Sequence, residues 1–224
     1  MRPHIIWDLD GTLIDSAYDI KYCLELALMD SGVDLSKQIK PIIVGPTIDI
    51  IIKESFLSES LNDDIIMKIV TSFREIYDNS DFEHTKPFHG IEKIIQNSDF
   101  VHHIVTNKPD IPTKRILNKL DWSKYITSVR TPYSNTNNSC RKQSKSELFS
   151  EVIIEYGSDA TSFVSIGDMK NDCIAARENN ITAIGVLWGS GTREELEHNC
   201  DFLVENTDQL KKYLYKPGEW SWKA

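Results

Sequence analysis

A doubly wound, parallel α/β sheet of Rossmann-like form, interrupted by an inserted helical subdomain, is the fold class that the 224-residue sequence predicts. Three observations predict it. Short runs rich in Ile and Val recur along the chain and alternate with stretches of helical spacing, as a sheet with crossover helices requires. Those runs are apolar on both faces, which suits interior strands covered by helices on either side. The alternation then fails over one long interval near the N-terminus, where the spacing is helical almost throughout.

HIIWDLD, His4–Asp10, is the first predicted strand. FVHHIVTN (Phe100–Asn107), YITSVR (Tyr125–Arg130), SFVSIGD (Ser162–Asp168), ITAIGVLW (Ile181–Trp188) and DFLVE (Asp201–Glu205) follow. A helix is expected after Lys145, where Leu148/Phe149, Val152/Ile153 and Tyr156 share one face and Gly157 is placed to end it. Between Ser16 and about Thr85 lie two amphipathic stretches, Tyr18–Asp30 and the stripe Ile65, Ile69, Phe73, Tyr77, with Gly45-Pro46 turning the chain ahead of a third helix. The expected organisation is a core of residues 1–15 and 86–224 with a helical cap over 16–85. Pro132–Gln143, rich in Ser, Asn and Thr, reads as an exposed loop. Trp220 and Trp222 in the tail are expected to pack back onto the domain.

Composition narrows the class. The chain is 40% hydrophobic and 26% charged, which fits a globular protein and not a disordered one. Net charge is −9 and no Lys/Arg run forms a nucleic-acid footprint. No apolar run reaches the roughly 20 residues that span a bilayer. Met1 leads almost directly into a strand-like segment, which leaves no room for a leader. The four cysteines, Cys23, Cys140, Cys173 and Cys200, show no metal-ligand spacing and read as free thiols of a cytoplasmic protein.

Chemistry concentrates at predicted strand ends. Asp8 and Asp10 close the first strand, where open α/β sheets place their ligands. Two carboxylates so close repel unless a cation or a shared proton relieves them. DLDGT begins like a calcium-binding EF-hand loop, but the glycine that such a loop requires would fall at Leu13. SIGDMKND sets Asp168 and Asp172 one helical turn apart after another strand, where capping of the following helix is also within their reach. Carboxylates from two strands at one sheet edge suit Mg²⁺, a hard cation that takes few protein carboxylates. Thr106 and Asn107 end a third strand with a hydroxyl and an amide for phosphoryl oxygens, and Lys145 or Lys142 offers a compact positive charge.

Taken in order, DLDGTLIDS, VTNKP, a lysine before a helix, and GDMKND resemble the four motifs of the haloacid dehalogenase-like hydrolase superfamily. PFHGI, NDCIAARENNITAIGVLWGSGTREELE and CDFLVENTDQL are similar to its phosphoglycolate-phosphatase-like branch. The resemblance covers essentially the whole chain and is weakest in the cap and in Ser134–Gln143.

The resemblance implies a Mg²⁺-dependent phosphatase acting through an aspartyl-phosphate. Asp8 matches the nucleophile, and Asp10 the acid that protonates the leaving oxygen and then activates water. Asp8, the backbone carbonyl of Asp10, and Asp168 match the metal ligands, with Asp172 binding directly or through water. Thr106 and Asn107 match the phosphate-holding motif. The third motif departs from the usual Lys-Pro or Lys-Gly-x-Pro: the text is RKQSKSELFSEVI, and aligning its helix favours Lys145 over Lys142. Dehalogenases of the superfamily lack a carboxylate at the Asp10 position, so phosphoryl chemistry is implied. The cap resembles a lid that reads the leaving group, with Gly45, Arg74 and Tyr77 as candidate contacts.

The expected partner is a small phosphorylated metabolite of the phosphoglycolate kind, with no nucleic acid or membrane involved, for a monomer or homodimer. A phosphosugar mutase resembling β-phosphoglucomutase, a pyrophosphatase of the same superfamily and a non-catalytic phosphate-binding module are the alternatives.

Overall fold

A computed structural model describes residues 2–56, 61–132, 142–157 and 160–215. The expected loop at Pro132–Gln143 falls largely outside the described residues, as does the Trp220/Trp222 tail. The described chain divides into two compact units, with breaks between Asp15 and Ser16 and between Lys86 and Pro87.

The first unit is a six-stranded parallel sheet with helices between its strands. Its strands are β1 (His4–Trp7), β4 (Val101–Val105), β5 (Ile126–Arg130), β6 (Phe163–Gly167), β7 (Thr182–Val186) and β8 (Phe202–Val204), in the order β5-β4-β1-β6-β7-β8. The two short strands β2 (Ile14–Asp15) and β3 (Lys86–Pro87), where the chain leaves and rejoins the core, pair with each other. The connecting helices are α4 (Ile91–Ile95), α5 (Asp110–Lys119), α6 (Lys145–Tyr156), α7 (Lys170–Glu178) and α8 (Arg193–Glu197), and α9 (Thr207–Leu214) follows β8.

Register decides where the chemistry lies. Trp7 of β1 stands opposite Ile104 of β4 and Ile166 of β6. The residues just past these strands, Asp8, Thr106 and Asp168, therefore emerge at one edge of three adjacent strands. This is the carboxyl edge, where a parallel sheet presents its ligand site.

Burial explains the strand sequences. Ile5, Ile6, Ile104, Val105, Ile166, Ile184 and Val186 are all at most 1% exposed. The strands are nonetheless not apolar throughout, because His102 and His103 of β4 are buried at 2% and 0%. Each ring is satisfied. Trp7 Nε1 donates to His102 Nδ1 at 3.1 Å, which leaves His102 Nε2–H to donate to the Asn97 carbonyl at 3.2 Å. His103 bonds Ser128 Oγ through Nδ1 at 2.8 Å and His4 Nδ1 through Nε2 at 2.9 Å.

Gly157 ends α6 as expected, in extended backbone. Glycine is required there by close approach, since a Cβ would lie 2.3 Å from the Phe163 ring. The cysteines are not all free. Cys173 of α7 and Cys200, which follows α8, form a disulfide with their Cα atoms 5.0 Å apart. Helix α7 and the entry to β8 bring these two together, and spacing along the sequence carries no trace of it. Cys23 is buried and takes no part in that disulfide, and Cys140 lies outside the described residues.

The second unit is helical. Helix α1 (Ala17–Asp30) packs on α3 (Asp63–Asp78), and α2 (Ile48–Ser55) packs on α3 as well. Its core is Leu24, Ala27, Leu28, Ile52, Ile69, Phe73 and Tyr77. Of the candidate lid residues, Tyr77 is a core ring, 2% exposed, stacked on Phe73 and edge-on to Phe82. Arg74 is exposed, and Gly45 occupies left-handed backbone at φ 138°. Asp19 is a buried polar hub that accepts from the His84 amide, the His84 ring and the Thr85 hydroxyl. Among the described residues no helix is long and apolar enough to cross a membrane.

Candidate active site

The chain turns sharply after β1, and the turn presents two carboxylates. Asp8 continues the β1 ladder, donating its amide to the Ile166 carbonyl at 2.9 Å. Gly11 then takes φ +82°, and a Cβ there would stand 2.2 Å from Asp168 Oδ2. Glycine is needed for both reasons, backbone conformation and space. Thr12, fully buried, donates its hydroxyl to Asp168 Oδ1 at 3.1 Å.

Asp168 is held from the other side by the loop after β7. The Ser190 amide donates to Asp168 Oδ2 at 2.7 Å. Gly189 and Gly191 let this loop approach, since added Cβ atoms would lie 2.3 Å from Asp168 Cβ and 1.9 Å from its carbonyl oxygen. Trp188 anchors the loop by donating Nε1 to the Thr12 carbonyl at 3.1 Å.

Helix α6 delivers Lys145. Ser144 caps it, its hydroxyl accepting from the Glu147 amide while the Glu147 carboxylate accepts from the Ser144 amide, a reciprocal capping box. The cap makes Lys145 the first helical residue. Its Nζ donates to Asp8 Oδ1 at 2.6 Å and forms an ion pair with Asp172 Oδ1. Lys142, the alternative lysine, is exposed. Asp172 Oδ2 accepts from the Met169 amide at 3.0 Å at the start of α7, so the carboxylate also serves the helix end.

Asp8, Asp168 and Asp172 form one buried group whose facing carboxylate oxygens all lie within 4.8 Å of one another. The Asp10 side chain turns elsewhere: its Oδ1 pairs with Lys108 Nζ at 3.0 Å, the two side chains being 11% and 3% exposed. Thr106 is buried, and its hydroxyl accepts from the Lys108 amide at 3.1 Å. Asn107, next to it, is half-buried.

Electrostatics follow from this crowding. Burial pushes the Asp8 carboxyl well above the usual carboxylate range; Lys145 opposes the shift, and Asp172 and Asp168 add to it. Asp168 is raised to about 6 by burial and by Asp172, against the Ser190 amide, Lys145 and the Thr12 hydroxyl. Burial alone would lower Lys145, but the charges of Asp172 and Asp8 outweigh it and raise the ammonium above its ordinary value.

These residues fit a divalent cation. All the donors are hard oxygens, which suit Mg²⁺. Among the described residues, two ammonium groups, those of Lys108 and Lys145, form ion pairs within the set of four carboxylates Asp8, Asp10, Asp168 and Asp172. The remaining negative charge is of the size that one divalent cation balances. Asp172 Oδ1 is buried, with Lys145 Nζ as its partner.

Several residues that build this site escape the motif reading. Lys108 stands within the quoted VTNKP and Thr12 within DLDGT, yet neither has a local pattern that states its partner. Ser144 and Glu147 do have one: S-x-x-E is the signature of a capping box, and it marks Lys145 as the first residue of a helix.

Residues 5–186 match the family model for haloacid dehalogenase-like hydrolases. A phosphoglycolate phosphatase of Xanthomonas campestris pv. campestris is 25% identical, with 96% of this chain and 96% of that protein covered. A 5'-nucleotidase of Pseudomonas aeruginosa is 23% identical over 94% of this chain and 96% of its own length. In three dimensions, a predicted phosphatase from Clostridium acetobutylicum superposes with a TM-score of 0.79 over 96% of this chain and 98% of that one. At 23% identity this likeness speaks for the fold alone.

Proposed function

We propose that this chain, a phosphatase that belongs to the haloacid dehalogenase-like hydrolase family, uses Asp8 to hydrolyse a small phosphorylated metabolite in the presence of Mg²⁺. The observation that carries the reading is the placement of Lys145. One ammonium touches both Asp8 and Asp172, within the buried group that Asp168 completes.

In the first step an Asp8 oxygen attacks phosphorus in line with the leaving oxygen. The P–O bond to the leaving group breaks, and the Asp10 carboxyl delivers a proton to the departing oxygen. In the second step water attacks the phosphorus of the aspartyl-phosphate, its proton passes to Asp10, and the Asp8 carboxylate is restored with release of phosphate. Lys145 neutralises charge on Asp8 and the phosphoryl oxygens, and Thr106 and Asn107 hold those oxygens. Asp8, Asp168 and Asp172, with the Asp10 carbonyl, would hold Mg²⁺, whose charge would offset that of the phosphate dianion.

The helical unit would act as a lid that excludes bulk water and reads the leaving group. Relatives named for phosphoglycolate and for 5'-nucleotides point to a small, anionic or hydroxylated leaving group. The test is phosphate release from a panel of phosphorylated metabolites, with Mg²⁺ and with excess chelator. Release confined to the Mg²⁺ arm, strongest for a small monoester, is expected. Failure on every monoester, or undiminished release in chelator, would overturn the proposal.

A further inference from the structure

Lys108 is a buried cation whose partner is the acid–base carboxylate rather than the nucleophile. Its Nζ lies 3.0 Å from Asp10 Oδ1, with the lysine side chain only 3% exposed. Its backbone is pinned on both sides. The amide donates to Thr106 Oγ1 at 3.1 Å, and the carbonyl accepts from Thr113 Oγ1 at 3.4 Å. Thr113 is itself fully buried and donates to the Pro109 carbonyl at 2.8 Å. The ammonium is thus sent toward Asp10 from a rigid anchor formed by the end of β4 and the first turn of α5. Burying an ammonium costs several kcal/mol before pairing. A surface loop that needed only solubility would have left this lysine in water.

We infer that Lys108 is a positioning residue for proton transfer at Asp10. By holding Oδ1 it fixes the rotation of the carboxylate about its Cβ–Cγ bond, and with it the place of Oδ2. The inference rests on the two-step reading above: in the first step the proton leaves the Asp10 carboxyl for the leaving oxygen as the P–O bond breaks. A carboxyl free to rotate would be misdirected for much of the time, and a misplacement of about 1 Å is costly in such transfers.

The signature is selective for the leaving group. p-Nitrophenolate departs without a proton, whereas the more basic phenolate needs one. The experiment compares kcat/KM for p-nitrophenyl phosphate and phenyl phosphate in wild type and Lys108→Met. This ratio reports steps through the first irreversible one, transfer to Asp8. The expected result is a loss within about threefold for p-nitrophenyl phosphate and about a hundredfold for phenyl phosphate, the scale of general acid catalysis. In an Asp10→Asn background the same change should add almost nothing on phenyl phosphate. Equal losses on both esters, or no loss on either, would overturn the inference while leaving the phosphatase reading intact. Wild type inactive on both would overturn that reading and the inference with it. Lys108→Gln, checked by thermal melting, serves the same comparison should the Met variant fail to fold.

Discussion

Lys145 Nζ lies 2.6 Å from Asp8 Oδ1, a hydrogen bond that joins residues 137 positions apart in the chain. It ties the start of α6 to the end of β1, and through Asp172 to the start of α7. A single ammonium therefore orients two of the three carboxylates in the buried acidic group.

Removing that ammonium should be costly and specific. Lys145→Ala is expected to lower kcat by about a hundredfold or more, in line with loss of a preorganised electrostatic group. Lys142→Ala should stay within about twofold, because Lys142 is exposed. Steady-state kinetics on one aryl phosphate decides it, and the reverse ranking would reassign the third motif.

The loop behind Asp168 makes a steric prediction. A methyl group at Gly191 would meet the Asp168 carbonyl at 1.9 Å, so Gly191→Ala must displace one or the other. Turnover should fall about tenfold or more, given the sensitivity of such sites to small shifts. Gly32→Ala is the control: its φ is +76° with nothing within 4 Å of the added Cβ. It should cost about 1 kcal/mol in stability, read by urea titration, with little change in activity.

Much of this was legible in the sequence because it is local. Strand positions follow from apolar runs, and the carboxylates of DLDGT and GDMKND announce themselves by spacing. The capping box Ser144-x-x-Glu147 places Lys145 at the start of a helix from four letters. What was not legible is tertiary. Lys108 pairs with a carboxylate in the turn after β1, Cys173 of α7 pairs with Cys200 beyond α8, and Gly189 and Gly191 are needed because Asp168, and for Gly189 also the Gly11 carbonyl, lies against them. The histidines of β4 broke the apolar pattern, yet their burial depends on partners from β1 and β5 that the strand itself does not contain.

Those histidines make stability depend on pH. Burial lowers His102 from 6.5 to about 4, and burial with His4 and His102 nearby lowers His103 to about 3. Below pH 6.5 the unfolded chain takes up protons that the folded chain refuses, so stability is present at neutral pH and falls with acidification toward about pH 3–4. Each withheld proton contributes about 1.4 kcal/mol per pH unit within that window. Asp168, raised to about 6, acts in the opposite sense. The readout is therefore a difference: His102→Gln combined with His103→Asn should flatten the loss of urea midpoint between pH 7 and pH 5 relative to wild type. An unchanged slope would refute the assignment.

In the proposed reaction phosphorus passes through a covalent bond to Asp8. Rapid acid quench of the enzyme with a ³²P-labelled monoester, followed by borohydride reduction and peptide mass spectrometry, tests it directly. Protein-bound label and conversion of Asp8 alone to homoserine are expected, both absent in Asp8→Asn. Label on a histidine or serine, or Asp8→Asn releasing phosphate at the wild-type rate, would contradict it.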